Sequence, residues 1–391
     1  MDCAATTPVD PQVLQEMMPY FSETFGNPSS IHSSGEDAQR GVIQARYKIA
    51  EFLGADPTEI LFTSGATEGN NMVIKGIVTS TKIREEYGKK PHIIISEIEH
   101  NCIIASAKRV VTDGLADISF VPVDRNGRVN IEDVKNLIRP ETALISVMYA
   151  NNEIGAIQPI KELGALIAEL NVAREKKIFF HTDAVQAINY LDCNIETLGV
   201  DMLTISAHKI YGPKGAGALY LKKGTPLARL IDGGGQEFKL RAGTLNVTGI
   251  VGLGTAISII HKYVEENQKT ERLKIKLIDG ILASVPRSAL NGDKNNALPN
   301  IVNIRFEGAE GEAILTMLNE QGVLVSTGSA CAAENLASSH VLRAIGLEDA
   351  DIHSSIRFSL GRQTTEKEVD YVISIMAEIV ERLRNISGSL G

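Results

Sequence analysis

Two rhythms of apolar residues alternate along this chain. Short, nearly unbroken apolar runs such as His92-Ile-Ile-Ile95 are separated by longer stretches in which apolar positions recur every three or four residues. The first pattern suits strands buried on both faces, and the second suits helices with one buried stripe. The spacing predicts a helix over 36–53 ending at Gly54, a strand at 59–63 and a helix over 66–82. It continues with a strand at 92–96, a helix near 100–113, a strand at 118–123 and a helix at 131–138. A strand at 143–149, a helix at 160–170 after Pro159, and strands at 177–182 and 201–206 complete the series, with a further apolar run at 218–221. Residues before about 30 are turn-rich, with Pro8, Pro11 and Gly26-Asn-Pro28. Strands and helices in this alternation predict an α/β protein with a mainly parallel sheet covered on both faces.

The rhythm changes near 250–285, where a long helical pattern has no strand beside it and reads as a connection into a second unit. Strands near 300–306, 323–326 and 355–360 alternate there with helices near 311–320, 338–345 and 366–385. Neither internal repeats nor low-complexity segments interrupt the 391 residues.

Composition narrows the classes. A net charge of -9 gives no support to a nucleic-acid or anionic-membrane role. No run of apolar residues approaches a bilayer span, and no basic segment followed by an apolar one opens the chain, so a cytoplasmic protein is expected. Cys3, Cys102, Cys193 and Cys331 are scattered, which implies neither a disulfide framework nor a metal site.

Several of the chemistry-bearing clusters sit at predicted strand ends, where parallel sheets bind ligands. At the end of strand 201–206 stand Ser206, His208 and Lys209, followed by a Gly/Pro-rich turn, Gly212 to Gly217. A lysine partly withdrawn from water loses basicity and becomes a nucleophilic amine; a surface lysine entering a turn has the same sequence. Thr63-Ser-Gly-Ala-Thr-Glu68 joins a strand to a helix start, which suits a phosphate or simply a capped helix. His100 follows the next strand as a stacking ring or a surface histidine, and Asn151-Asn152 follow another as ligand donors or turn formers. Asp183 just past an apolar strand needs a positive partner, either a protonated pyridine nitrogen or an arginine. Gly233-Gly-Gly-Gln-Glu237 and Arg241-Ala-Gly-Thr244 form a flexible, hydroxyl-bearing loop. Cys331 stands among Gly, Ser and Ala with no large apolar neighbour, which fits a travelling nucleophile or a tolerated surface thiol. Arg357 on a late strand suits a carboxylate clamp or a structural ion pair. Together, an amine, an aspartate and an anion cradle form the set that pyridoxal phosphate requires.

The chain resembles the cysteine desulfurases, in particular the class I group of NifS/IscS type, from Asp2 to about Ser387. The matching motifs are Ala5-Thr-Thr-Pro8, Phe25-Gly-Asn-Pro-Ser29, Ser64-Gly-Ala-Thr-Glu68, Asn151-Asn-Glu-Ile-Gly155, Ser206-x-His-Lys-Ile-Tyr-Gly-Pro-Lys-Gly215 and Thr327-Gly-Ser-Ala-Cys331. The resemblance implies a fold-type I pyridoxal 5'-phosphate homodimer. Its mainly parallel seven-stranded sheet, flanked by helices, is accompanied by a smaller α/β C-terminal domain. On that basis the large cofactor-binding domain is expected over 12–254. The small domain is expected from 1–11 and 255–391, carrying the cysteine loop at about 326–337.

By the same resemblance, Lys209 holds the cofactor as an imine, Asp183 meets the pyridine nitrogen and Gln186 the phenolic oxygen. His100 stacks on the ring and helps proton transfer; Ala66, Thr67, Ser206 and His208 hold the phosphate, with Thr244 reaching in from the other subunit. Asn152 and Arg357 hold the substrate carboxylate, Asn152 also contributing to the cofactor site. Cys331 takes the sulfur of L-cysteine as a persulfide while L-alanine leaves. The implied sulfur acceptors are an iron–sulfur scaffold protein (IscU/NifU-like), with Cys331 able to touch a cluster on that partner, or tRNA thiolation. The family begins with a few more residues, so the start is expected to be truncated, and the tail is shorter than in relatives that dock a scaffold through it. Val185 stands where a threonine is frequent. A selenocysteine lyase, an aminotransferase of the same fold and a catalytically silent scaffolding partner are the other readings; Cys331 and Lys209 argue against the last two.

Overall fold

The computed structural model describes residues 1–88, 90–328, 338–386 and 388. Three helices open the chain, α1 (Pro11–Met17), α2 (Pro19–Ser22) and α3 (Ser33–Leu53). The first two lie inside the stretch expected to be turn-rich. Asp10 caps α1 by accepting from the Gln12 N–H, and proline begins each of the two, where a missing N–H costs nothing.

The sheet region runs β1 (Ile60–Thr63), α4 (Ala66–Thr79), α5 (Thr81–Tyr87), β2 (His92–Ser96), α6 (Asn101–Thr112) and β3 (Asp117–Val121). It continues with α7 (Ile131–Leu137), β4 (Thr142–Ser146), α8 (Ile160–Ala173), β5 (Phe179–Asp183), α9 (Ile195–Leu198), β6 (Met202–Ser206) and β7 (Gly217–Leu221). The single helix expected over 66–82 breaks at Ser80, which adopts an extended conformation between α4 and α5.

The seven strands form one sheet in the order β1-β7-β6-β5-β4-β2-β3. The five from β3 to β6 pair in parallel, while β7 is antiparallel to both β6 and β1. Every residue of β2, β4, β5 and β6 is buried, whereas edge strand β3 exposes Asp117. Burial on both faces is why these strands appear as solid apolar runs. Successive residues of β2 feed opposite cores: Ile94 packs with Val13, Ile49 and Leu253, while Ile93 and Ile95 pack with Met72, Ile103 and Leu144.

Helices α10 (Val247–Ile259) and α11 (Val264–Ser284) follow, joined by a 3-10 turn at Ile260–Tyr263. This continuous rod, Val247–Ser284, is long and apolar enough to cross a membrane, contrary to the reading of the sequence, but 67% of its apolar window is buried inside the protein. Its apolar half packs on α3: Gly254 lies so close to Ala45 that a Cβ there would sit 2.6 Å from the Ala45 Cα. It is a core helix.

The remaining elements are β8 (Ser288–Leu290), β9 (Ile301–Phe306), α12 (Gly311–Glu320), α13 (His340–Ala344), α14 (Asp349–His353), β10 (Ser355–Ser359) and α15 (Glu366–Ile386). The strands make a separate antiparallel sheet in the order β10-β9-β8, with its own core against α11, α12 and α15. The strand expected at 323–326 is reduced to one bridge, Ser326 with Arg357; β8 takes the third place in the sheet. The chain's first residues run along β10. Asp2 forms a parallel bridge with Ser359, and the Ser359 N–H donates to the Met1 carbonyl.

Candidate active site

Strand β6 ends at Ser206, and a 3-10 turn, Ala207–Lys209, aims the next side chains off the sheet. The chain then reverses into antiparallel β7, where Gly217 faces Ser206. Only glycine fits at 217: a Cβ would meet the Ile205 carbonyl oxygen and the Gly65 Cα, each at 2.7 Å. That close approach sets the start of α4 beside Ser206. The Lys209 ammonium donates to the carbonyls of Ala4 (2.6 Å) and Ala5 (2.7 Å). The Gln186 amide donates to the same Ala4 carbonyl at 3.1 Å, so the N-terminal segment forms a wall of the site.

Helix α4 is 14 residues long and its N-cap, Gly65 at φ +149°, supplies no side-chain acceptor to the first amides. Open amides at the positive end of a helix favour an anion. His208 stands next to them, bonded through Nδ1 to the Thr6 hydroxyl at 3.2 Å. Burial, then Lys209 and Lys214, depress its pKa to about 4, so it remains neutral.

Asp183 closes β5 as a buried carboxylate. The Val185 N–H donates to its Oδ1 at 3.0 Å and the Asn70 amide to its Oδ2 at 2.6 Å. His100 is the N-cap of α6, its Nδ1 accepting from the Cys102 N–H at 3.2 Å. Burial lowers its pKa, opposed by Asp183 and reinforced by Lys209. Arg357 on β10 donates to the Asn152 carbonyl (3.0 Å), Asp2 Oδ1 (3.0 Å) and Ser326 Oγ (3.2 Å). Its Nε has no hydrogen-bond partner among the described residues.

These groups surround one cavity of about 560 Å³. Of the residues expected from sequence, Ala66, Thr67, His100, Asn152, Asp183, Gln186, Ser206, His208, Lys209 and Arg357 all line it. Thr244 does not; it lies exposed on the segment before α10. Cys331 falls outside the described residues. Sequence reasoning missed Asn70 and Cys102, and it named Ala4, Ala5 and Thr6 at most as parts of a motif. Asn70 carries no local signal, because its role depends on Asp183, 113 positions away. An amine, a buried carboxylate and an open helix end with hydroxyls fit pyridoxal 5'-phosphate in a single cavity. Among the described residues no group of three His, Cys, Asp or Glu is placed to hold a metal ion.

The fold is that of the fold-type I pyridoxal-phosphate enzymes, and the aminotransferase class-V family model matches residues 1–372. A cysteine desulfurase IscS of Clostridium botulinum strain Hall is 47% identical over 390 residues, covering 99% of this chain and 95% of the relative. The cysteine desulfurase IscS of Methanosarcina thermophila is 46% identical over 388 residues, covering 99% and 93%. Among solved structures, a NifS-like protein superposes with a TM-score of 0.88 at 37% identity, covering 98% of this chain and 99% of that one. A structure described as SspA in complex with cysteine gives 0.79 at 37% identity, covering 93% and 99%. The chain belongs to the NifS/IscS-type cysteine desulfurases within the aminotransferase class-V family.

Proposed function

We propose that this enzyme removes sulfur from L-cysteine, releasing L-alanine and retaining the sulfur as a persulfide on Cys331. The observation that carries this reading is the convergence of Lys209, Asp183, His100, Arg357 and the open end of α4 on one cavity. Pyridoxal 5'-phosphate, when bound, supplies the electron sink that weakens the bond from β-carbon to sulfur.

Lys209 would hold the cofactor covalently through Nζ, taking that nitrogen from the Ala4 and Ala5 carbonyls. Ser206, His208, Thr67 and the amides from Ala66 onward would hold its phosphate. Asp183 would take the pyridine nitrogen and Gln186 the phenolic oxygen. His100 would lie against the ring and carry a proton at Nε2. Arg357 and Asn152 would orient the substrate carboxylate, and the Cys331 thiolate would accept the sulfur.

A homodimer is part of this reading. Met18, Phe21, Phe25 and Ile31 are exposed in one stretch of the chain, as a subunit face needs, and exposed Thr244 would reach the phosphate of the other subunit. A large unit over 12–254 and a small one from 1–11 and 255–391 belong to the same reading; the separate cores of the two sheets support two units, although the first core runs on to Ile260. Delivery to an iron–sulfur scaffold protein or to tRNA thiolation, in the cytoplasm, completes the proposal.

The test is L-cysteine turnover with alanine and persulfide measured together. The native enzyme should form both; Cys331→Ala should form no persulfide, and Lys209→Ala should hold no cofactor after borohydride reduction. Alanine release unchanged in Cys331→Ala would overturn the assignment.

A further inference from the structure

Asp183 and His100 are joined by two residues that the reaction scheme above leaves unused. Asn70 is fully buried on α4. Its Nδ2 lies 2.6 Å from Asp183 Oδ2 and 3.3 Å from Cys102 Sγ, so each amide hydrogen has an acceptor. The opposite amide orientation would set Oδ1 against the carboxylate, acceptor against acceptor. Asn70 Oδ1 itself has no partner among the described residues. An apolar residue would avoid that cost but would lose both donors.

Cys102 Sγ in turn lies 3.0 Å from His100 Nδ1. The Cys102 backbone N–H, which can only donate, reaches the same Nδ1 at 3.2 Å. Nδ1 is therefore the acceptor, and the hydrogen of the neutral imidazole is on Nε2. A sulfur that accepts from Asn70 has its S–H available for Nδ1. Burial pushes the Cys102 thiol pKa up to about 12, so it keeps that hydrogen.

We propose that Asn70 and Cys102 are positioning residues whose donor chain, running from amide to thiol to imidazole, holds His100 neutral with its hydrogen on Nε2 and fastens it to Asp183. The chain leaves Nε2–H as the donor available to the reaction. Among the described residues, the charged or titratable groups that act on His100 besides Cys102 are Asp183 at the end of β5, Lys209 after β6, Glu153 after β4 and His340 on α13. The inference about turnover rests on the desulfurase reading, whereas the inference about the tautomer does not.

The experiment uses the full chain labelled with 15N in histidine, first without cofactor. The native protein should show His100 with Nδ1 bare and Nε2 protonated between roughly pH 6 and 8. Cys102→Ala should raise the His100 titration by about one pH unit, Cys102→Ser should restore it, and Asn70→Ala should mix the two tautomers. The other histidine signals report whether each variant is folded. In the holoenzyme, Cys102→Ala should lower kcat about tenfold with KM for cysteine unchanged, and shift the acidic limb of the kcat profile. A hydrogen on Nδ1 in the native protein, or a titration unmoved in Cys102→Ala, overturns the proposal. Absent turnover with the expected apo spectrum would sink the desulfurase reading alone.

Discussion

Ser339 donates its hydroxyl to Glu153 Oε2 across 2.6 Å and accepts from the Leu342 N–H at 3.1 Å. One side chain thus caps α13 and ties it to the loop that bears Asn152. Gly328 reaches the same carboxylate, since a Cβ there would lie 3.5 Å from Glu153 Oε2. Both ends of the segment containing Cys331 are therefore set beside Glu153. Glu153→Ala should lower stability by about 1–3 kcal/mol, read by urea unfolding, and slow persulfide formation. Cofactor binding, measured by titration, should remain.

Arg357 makes three planar contacts that a lysine cannot reproduce together. Arg357→Lys should raise KM for cysteine by about 10- to 100-fold, the loss expected when a bidentate carboxylate contact becomes a single one. It should also lower the melting temperature, because Asp2 and Ser326, bonded to each other, lose the guanidinium they share. An unchanged KM would remove Arg357 from substrate recognition.

Buried histidines make the fold acid-sensitive. His181, fully buried between Ser146 and Thr204, has its pKa lowered to about 3, and His92 to about 4, both chiefly by burial. As pH falls below the ordinary value near 6.5, the unfolded chain takes up protons first. Stability should therefore fall from about pH 6.5 downward, by roughly 2 kcal/mol at pH 5 for His181 alone. Denaturant unfolding at two pH values, with and without His181→Gln, checks the sign.

Glu99 works in the other direction. Its carboxyl is fully buried, accepts from Ser96 Oγ (2.6 Å) and the Met148 N–H (2.7 Å), and has its pKa raised to about 8 by burial. The folded state holds this proton after the unfolded state has lost it. Stability is complete below the unfolded value near 4.5 and is lost as pH rises through about 8. Glu99→Gln should flatten this decline, which spans about pH 4.5 to 8, in a series of thermal melts; a decline as steep as in the native chain would refute it.

Much of the sheet was legible because parallel strands buried on both faces are mainly apolar, and Ile93 to Ile95 show it without ambiguity. The strand-end residues Lys209, Asp183 and His100 were legible for the same reason, as polar groups placed where an apolar run stops. What escaped depends on distant partners. The burial of Val247–Ser284 is set by α3 for its first half and by the small sheet and α15 for its second. Strand β8 is too short and half-buried to show a pattern, and it exists because β9 offers it an edge. Asn70 and Cys102 look like ordinary helix residues until Asp183 and His100 are brought to them.

The N-terminal wall has a consequence for how the protein is made. Ala4 and Ala5 hold Lys209, yet Ala4 is itself fastened by its N–H to the Ser359 hydroxyl, 355 positions later. On the ribosome, the open end of α4, Asp183 and Lys209 emerge in turn, all before β10 exists. The large sheet can fold first, as N-terminal units do, but its cavity stays unwalled until the last strand arrives and draws the first residues into place. Closing the cavity therefore needs both ends of the polypeptide.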